Sequence, residues 1–199
     1  MTSQLFGPVG LWVAAFASLA TVTVALLGGF GWFARRSQPH LRVTFEQAQP
    51  WCRWVETEKD SAVLWVRVAV ENHGLDPARG CIGRLIGVAT DGSSRPDVDP
   101  VQLRWAGFPR SRGFDPIDLR RGQREFLDVV FRRADSPGDW VLDTFGSEDF
   151  DPGFDIRLAV DQVHLLQIAL FADNADTCGI GLRIEVSDDE PRMTTAAAK

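Results

Sequence analysis

Leu64, Val66, Val68 and Val70 alternate with Trp65, Arg67, Ala69 and Glu71. A strand shows this period of two when one face packs on a core and the other meets water. The alternation recurs at Leu41-Val43-Phe45, Leu127-Val129-Phe131, Ile156-Leu158-Val160, Leu166-Ile168-Leu170 and Ile180-Leu182-Ile184-Val186. Shorter strands are predicted over 81–89, over 101–105 and around Val141. Turn signals stand between them at Asn72-His73-Gly74, Asp91-Gly92-Ser93-Ser94, Arg121-Gly122 and Pro152-Gly153. Strands at this spacing, with no long helical pattern, predict an all-β domain over 41–187, arranged as an antiparallel sandwich. The tail 188–199 carries no apolar period and is expected to be disordered.

Residues 5–33 break the pattern, because no charged side chain occurs there and Arg35 and Arg36 follow at once. About 20 apolar residues in a helix cross a ~30 Å hydrocarbon core, so 1–36 is predicted to be an N-terminal transmembrane helix with its flanks. Trp12 and Trp32 then fall at the two headgroup levels. A cleaved signal peptide is the alternative, but Met1-Thr2-Ser3-Gln4 lacks the basic start such a segment needs. Arg35, Arg36 and Arg42 on the C-terminal side place the domain in the cytoplasm and the N-terminus outside the cell membrane. Gly10, Ala14, Ser18, Thr21, Ala25 and Gly28 recur at spacings of three and four, the small-residue stripe through which helices approach closely in lipid. That stripe is the predicted helix–helix interface, toward a second copy or another protein. Ser37, Gln38, Pro39 and His40 form a linker (37–40) that reaches only about 13 Å.

Charge narrows the partners. The formal net charge of the 199 residues is -6, which speaks against a general affinity for nucleic acid or anionic lipid. The distribution is uneven. Arg104, Arg110, Arg112, Arg120, Arg121, Arg124, Arg132 and Arg133 crowd one segment, whereas 135–190 is strongly acidic. The two segments either interleave and cancel or leave a basic and an acidic patch, and in the second case Arg120, Arg121 and Arg124 are candidate partner-binding residues. Cys52, Cys81 and Cys178 are an odd set without paired spacing, which suits a reducing compartment. A Cys81–Cys178 bridge requires that their strands be neighbours.

Chemistry is sparse along the chain. It has no G-x-S-x-G elbow, phosphate loop, H-E-x-x-H or paired-cysteine metal spacing, and His40, His73 and His164 are scattered. The acidic stretch 143–155 offers oxygens to Ca²⁺ but lacks the spacing of an EF-hand loop. Its Phe145, Phe150 and Phe154 either fold back over the end of the sandwich or form a docking site. No catalytic residue, cofactor or metal ligand is assigned.

Val68-Ala69-Val70-Glu71-Asn72-His73-Gly74, followed by Ala78 and Cys81, resembles a strand and turn of bacterial and archaeal immunoglobulin-like domains of the adhesion-type, CARDB-like group. Leu119-Arg120-Arg121-Gly122-Gln123 with Phe126-Leu127-Asp128-Val129 resembles their later turn and strand, and Ala169-Leu170-Phe171-Ala172-Asp173-Asn174 the penultimate strand. Arg121 stands where that later turn often has proline. The resemblance implies an immunoglobulin-like antiparallel β-sandwich that binds or spaces other proteins rather than transforming a substrate. The expectation is a single-pass, membrane-anchored, non-enzymatic protein-binding or scaffolding module. The alternative is an accessory subunit of a membrane transporter, channel or defence complex.

Overall fold

In the computed structural model, the described residues are 38–56, 62–134, 138–144, 156–187 and 190–196. Fourteen strands run through them in chain order: β1 Leu41–Thr44, β2 Cys52–Glu56, β3 Ala62–Asn72, β4 Ala78–Thr90, β5 Ser93–Ser94, β6 Val101–Gln102, β7 Arg104–Trp105, β8 Ile117–Leu119, β9 Arg124–Arg133, β10 Trp140–Leu142, β11 Arg157–Leu158, β12 His164–Ala172, β13 Ala175–Ser187 and β14 Glu190–Ala196. One sheet has the order β1-β3-β9-β10-β11, with β2 also on β3 and β7 also on β9. The other has the order β14-β13-β12-β4-β5, with β6 and β8 also on β4. Every pairing is antiparallel.

The period of two decides which faces meet. Val66, Val68 and Val70 of β3 and Leu127 of β9 are fully buried, and they join Leu85 of β4, Leu166 and Leu170 of β12 and Leu182 of β13 in one apolar cluster. A core fed by one face of each sheet is consistent with a β-sandwich. Removing this much apolar surface from water is the dominant drive to fold. Trp105, in the segment preceding β9, and Trp140, in the segment following it, are also fully buried.

Two features of β9 set the surroundings of Asp128. Between Val66/Arg67 of β3 and its partners the register shifts, pairing Val66 with Val130 but Arg67 with Asp128. This bulge leaves Val129 as the extra residue. On its other side β9 changes neighbour along its length, β10 facing Val130 and Phe131 and β7 facing Leu127 and Asp128.

The tail expected to be disordered over 188–199 contains a strand at Glu190–Ala196. Glu190–Ala196 pairs with β13 through contacts such as Ile184 with Met193 and Leu182 with Thr195. Its single apolar anchor, Met193, is buried, and the Met193 N–H donates to Gln47 Oε1 at 3.1 Å. An open strand edge offers a full row of backbone partners. A segment with one anchor and no apolar period can therefore still be ordered. The strand predicted at Ile156-Leu158-Val160 shrinks to Arg157–Leu158. Among the described residues no helix is long and apolar enough to cross a membrane. The predicted helix, with Gly10, Ala14, Ser18, Thr21, Ala25 and Gly28, lies outside the described residues.

Candidate functional site

Asn72, the last residue of β3, is fully buried and organises the end of the domain where the chain enters. Its Oδ1 accepts the N–H of His40 at 3.1 Å and of Gly74 at 2.9 Å. Its Nδ2 donates to the carbonyls of Asp76 at 2.8 Å and Leu119 at 3.0 Å. Its backbone carbonyl takes the Gly122 N–H at 2.7 Å, and its backbone N–H reaches the Gln123 carbonyl at 3.3 Å. The side chain and backbone of this one residue thus tie the incoming chain, the turn after β3 and the β8–β9 turn together. A buried amide must find such partners or lose stability.

The β8–β9 turn carries the predicted arginines. The Gln123 N–H donates to the Arg120 carbonyl at 3.0 Å, and Gly122 has φ of 70°. Positive φ at the third position marks a type II turn, which takes glycine there and leaves Arg121 where proline is favoured. Arg120, Arg121 and Arg124 are all exposed. Arg124 is neutralised by Glu71, whose Oε2 accepts from Nη2 at 2.8 Å and Nε at 3.1 Å. That guanidinium holds the Glu71 carboxyl below its ordinary pKa. The guanidinium groups of Arg120 and Arg121 make no ion pair with any described residue. Beside them lies an open groove of about 820 Å³ lined by Pro77, Arg79, Asp118, Arg120 and Gln123. His73, in the neighbouring turn, is exposed, with Nε2 3.8 Å from Glu71 Oε2.

A second charged constellation was not foreseen from the sequence. Asp128 is fully buried in β9 and lies in register with Arg67 on one side and Arg104 on the other. Arg67 Nε donates to Asp128 Oδ1 at 2.5 Å, and Arg104 Nη2 to Oδ2 at 2.8 Å. Arg104 Nε continues to Asp143 Oδ2 at 2.6 Å. Two arginines and two aspartates make a chain of alternating charge with no net excess. Arg104 also stands 5.1 Å above the Trp65 ring, which itself packs on Phe131. Burial raises the Asp128 pKa, against the pull of Arg67 and Arg104. The quartet locks β3, β7 and the segment after β10 onto β9. Arg104 and Asp143 bring the arginine-rich and acidic segments together at this point, while Arg120 and Arg121 lie exposed at the turn. The signal in the sequence was an aspartate inside the apolar run Phe126-Leu127-Asp128-Val129-Val130-Phe131.

Other predicted residues fall elsewhere. Phe145, Phe150 and Phe154 lie outside the described residues. Cys52, Cys81 and Cys178 are free thiols. β12 lies between β4 and β13, so the strands of Cys81 and Cys178 are not neighbours. Burial pushes all three thiols up to about 11. The buried His164 is held on both ring nitrogens, by Thr90 Oγ1 at 3.0 Å and the Ala159 carbonyl at 2.8 Å. Among the described residues no three His, Cys, Asp or Glu side chains gather as metal ligands. No known protein family, curated protein or solved structure matches this chain. Among the described residues the chain is nearly all β, with two antiparallel sheets and an exposed turn at Arg120-Arg121.

Proposed function

We propose that this chain is a single-pass, membrane-anchored module of immunoglobulin-like fold that binds or organises another protein next to the bilayer, without catalysing a reaction. The observation that carries the reading is the charge-free stretch 5–33, closed by Arg35 and Arg36 and joined through four residues to a strand at Leu41. A helix of that length spans the hydrocarbon core, and the arginines hold the sandwich on the cytoplasmic side. The strand order supports the immunoglobulin-like assignment. With β1, β3 and β9 as strands A, B and E and β4, β12 and β13 as C, F and G, the sheets run A-B-E and C-F-G, the core of the constant-type arrangement. Such a domain on so short a linker stays close to the membrane surface.

Labelling of single engineered cysteines in intact cells tests the topology, with Cys52, Cys81 and Cys178 replaced. A site near Ser3 should react with an impermeant reagent and one near Lys199 should not. The opposite pattern removes the cytoplasmic assignment.

The small-residue stripe favours a second reading, in which the helix assembles into a transporter, channel or defence complex and the sandwich regulates it. Replacing Ala14, Ser18 or Ala25 by leucine should then weaken self-association or partner capture in membranes, while Val13→Leu and Val24→Leu should not. Equal effects at all five positions would remove this reading.

A further inference from the structure

We infer that the end of the domain where the chain enters docks on the anionic headgroup layer of the bilayer itself, with Arg120 and Arg121 binding lipid phosphate and Leu75 contacting the acyl boundary. The inference rests on the anchored reading above and names the partner of the arginine turn.

Three observations converge on this end. The first is position. His40 follows Arg36 by four residues, a reach of about 13 Å, and the backbone of His40 is bonded both to Asn72 Oδ1 and to the His73 N–H. Asn72 also holds Leu119 and Gly122, so the β8–β9 turn is fixed beside His40, where the chain enters the domain. The second is charge. Some exposed arginines are engaged by carboxylates, Arg112 by Asp115, Arg124 by Glu71 and Arg183 by Glu185. Arg120 and Arg121 project from a turn tip and have no carboxylate partner among the described residues, nor do Arg42 and Arg79 at the same end or Arg53, Arg84 and Arg192 elsewhere. Guanidinium forks suit phosphate oxygens bidentately. The third is an exposed leucine. Only Trp54, Leu75 and Ile86 are exposed large hydrophobics among the described residues. Trp54 pairs with Leu64 toward the far end of β3 and Ile86 lies within β4, whereas Leu75 caps the turn after Asn72.

The acids at this end temper its charge without cancelling it at the tip. Asp118 Oδ1 accepts the Gly80 N–H at 2.9 Å and lines the groove with Arg79 and Arg120. Asp76 lies one residue past Leu75 and is exposed. Arg35, Arg36 and Arg42 add positive charge along the arriving chain. A formal charge of -6 for the whole chain keeps the rest of the surface off an anionic membrane and orients this end toward it. Each arginine near such a surface shifts the balance by about fivefold, so two set the docked population by roughly 25-fold.

The test uses the full chain reconstituted into vesicles of phosphatidylcholine, alone or mixed with phosphatidylglycerol. An environment-sensitive dye is placed at Leu75→Cys and a nitroxide quencher is carried on the lipid headgroup. Docking predicts quenching in the anionic vesicles, little in the neutral ones, and its loss in Arg120→Glu/Arg121→Glu or at high salt. Arg183→Glu, on β13, should leave the quenching unchanged. Added inorganic phosphate should compete weakly, since a headgroup layer and not a free anion is the ligand. Quenching that is equal in both lipids, or that survives both the reversals and salt, overturns the inference. A chain retained by vesicles whose probe stays in water in both lipids also overturns it, and leaves the anchor standing. A chain washed from the vesicles by alkaline carbonate overturns the anchored reading, and this inference with it. The salt titration of the unmutated arginines decides the matter even where the reversal variant does not fold.

Discussion

Replacing Asp128 with alanine removes the carboxylate that Arg67 and Arg104 share. The carboxylate side chain is fully buried, whereas the two guanidinium side chains are 16% and 15% exposed. Removing one member of a buried ion pair typically costs about 3–5 kcal/mol, because the remaining charge has left water without a partner. The lower end, about 3 kcal/mol, is expected here. Arg104 keeps Asp143 at 2.6 Å, and both arginines have long stems that carry the charge toward solvent. Arg104→Met takes a guanidinium from two fully buried carboxylates at once and should cost about 5 kcal/mol. Arg67→Met leaves Asp128 with Arg104 and should cost about 2 kcal/mol, the worth of one charged hydrogen bond. Against a domain stability of roughly 5–15 kcal/mol, all three are measurable as shifts in denaturant midpoint, read by far-ultraviolet circular dichroism on the full chain in detergent. The order is the sharper result: Arg104 above Asp128, Asp128 above Arg67. A cost below about 1 kcal/mol for Asp128→Ala, the range of exposed pairs, would refute the quartet as a buried network. So would an Arg67 variant worse than the Arg104 one.

Asn72→Ala should destabilise the domain by about 3 kcal/mol, because it leaves the His40 and Gly74 N–H groups and the Leu119 carbonyl without their partner; hydrogen exchange should rise at His40 and Gly74 before the core. At Gly122 an added methyl group meets nothing within 4 Å, so the cost of Gly122→Ala in thermal unfolding should be only the positive φ, about 1 kcal/mol, and a much larger loss would mean that the turn is packed rather than open. Cys52, Cys81 and Cys178 rise from an ordinary 9.0 to about 11 on folding. The folded chain therefore keeps protons that the unfolded chain releases, and stability should fall as pH rises through 9 toward 11. Denaturant midpoints on either side of the ordinary thiol pKa check this, and a flat profile, or a slope that persists in a cysteine-free variant, would contradict it.

The strands that alternate cleanly were legible because side chains two apart on one face need only a core to meet. Leu64 to Val70, Leu127 to Phe131 and Leu166 to Leu170 all lie in strands. Turn chemistry was equally local, and both Asn72-His73-Gly74 and Arg121-Gly122 lie at chain reversals. What escaped were relations between distant segments. Arg104 read as one more base in a basic stretch, since nothing local says that a bulge in β3–β9 aims Asp128 at it. Met193 carried no periodic signal, because β14 is held by the backbone of β13 and by Gln47, which is far away in sequence. The role of Asn72 was half visible: its turn could be read, but not its hold on His40 and Leu119.

That hold has a mechanical consequence. The residue before β1 is hydrogen-bonded to the same side-chain amide that holds the Leu119 carbonyl, so a force on His40 is met at the ends of β3 and β8 together. Pulling on that residue must break its bonds to Asn72 Oδ1 and to the His73 N–H before β1 can peel from β3.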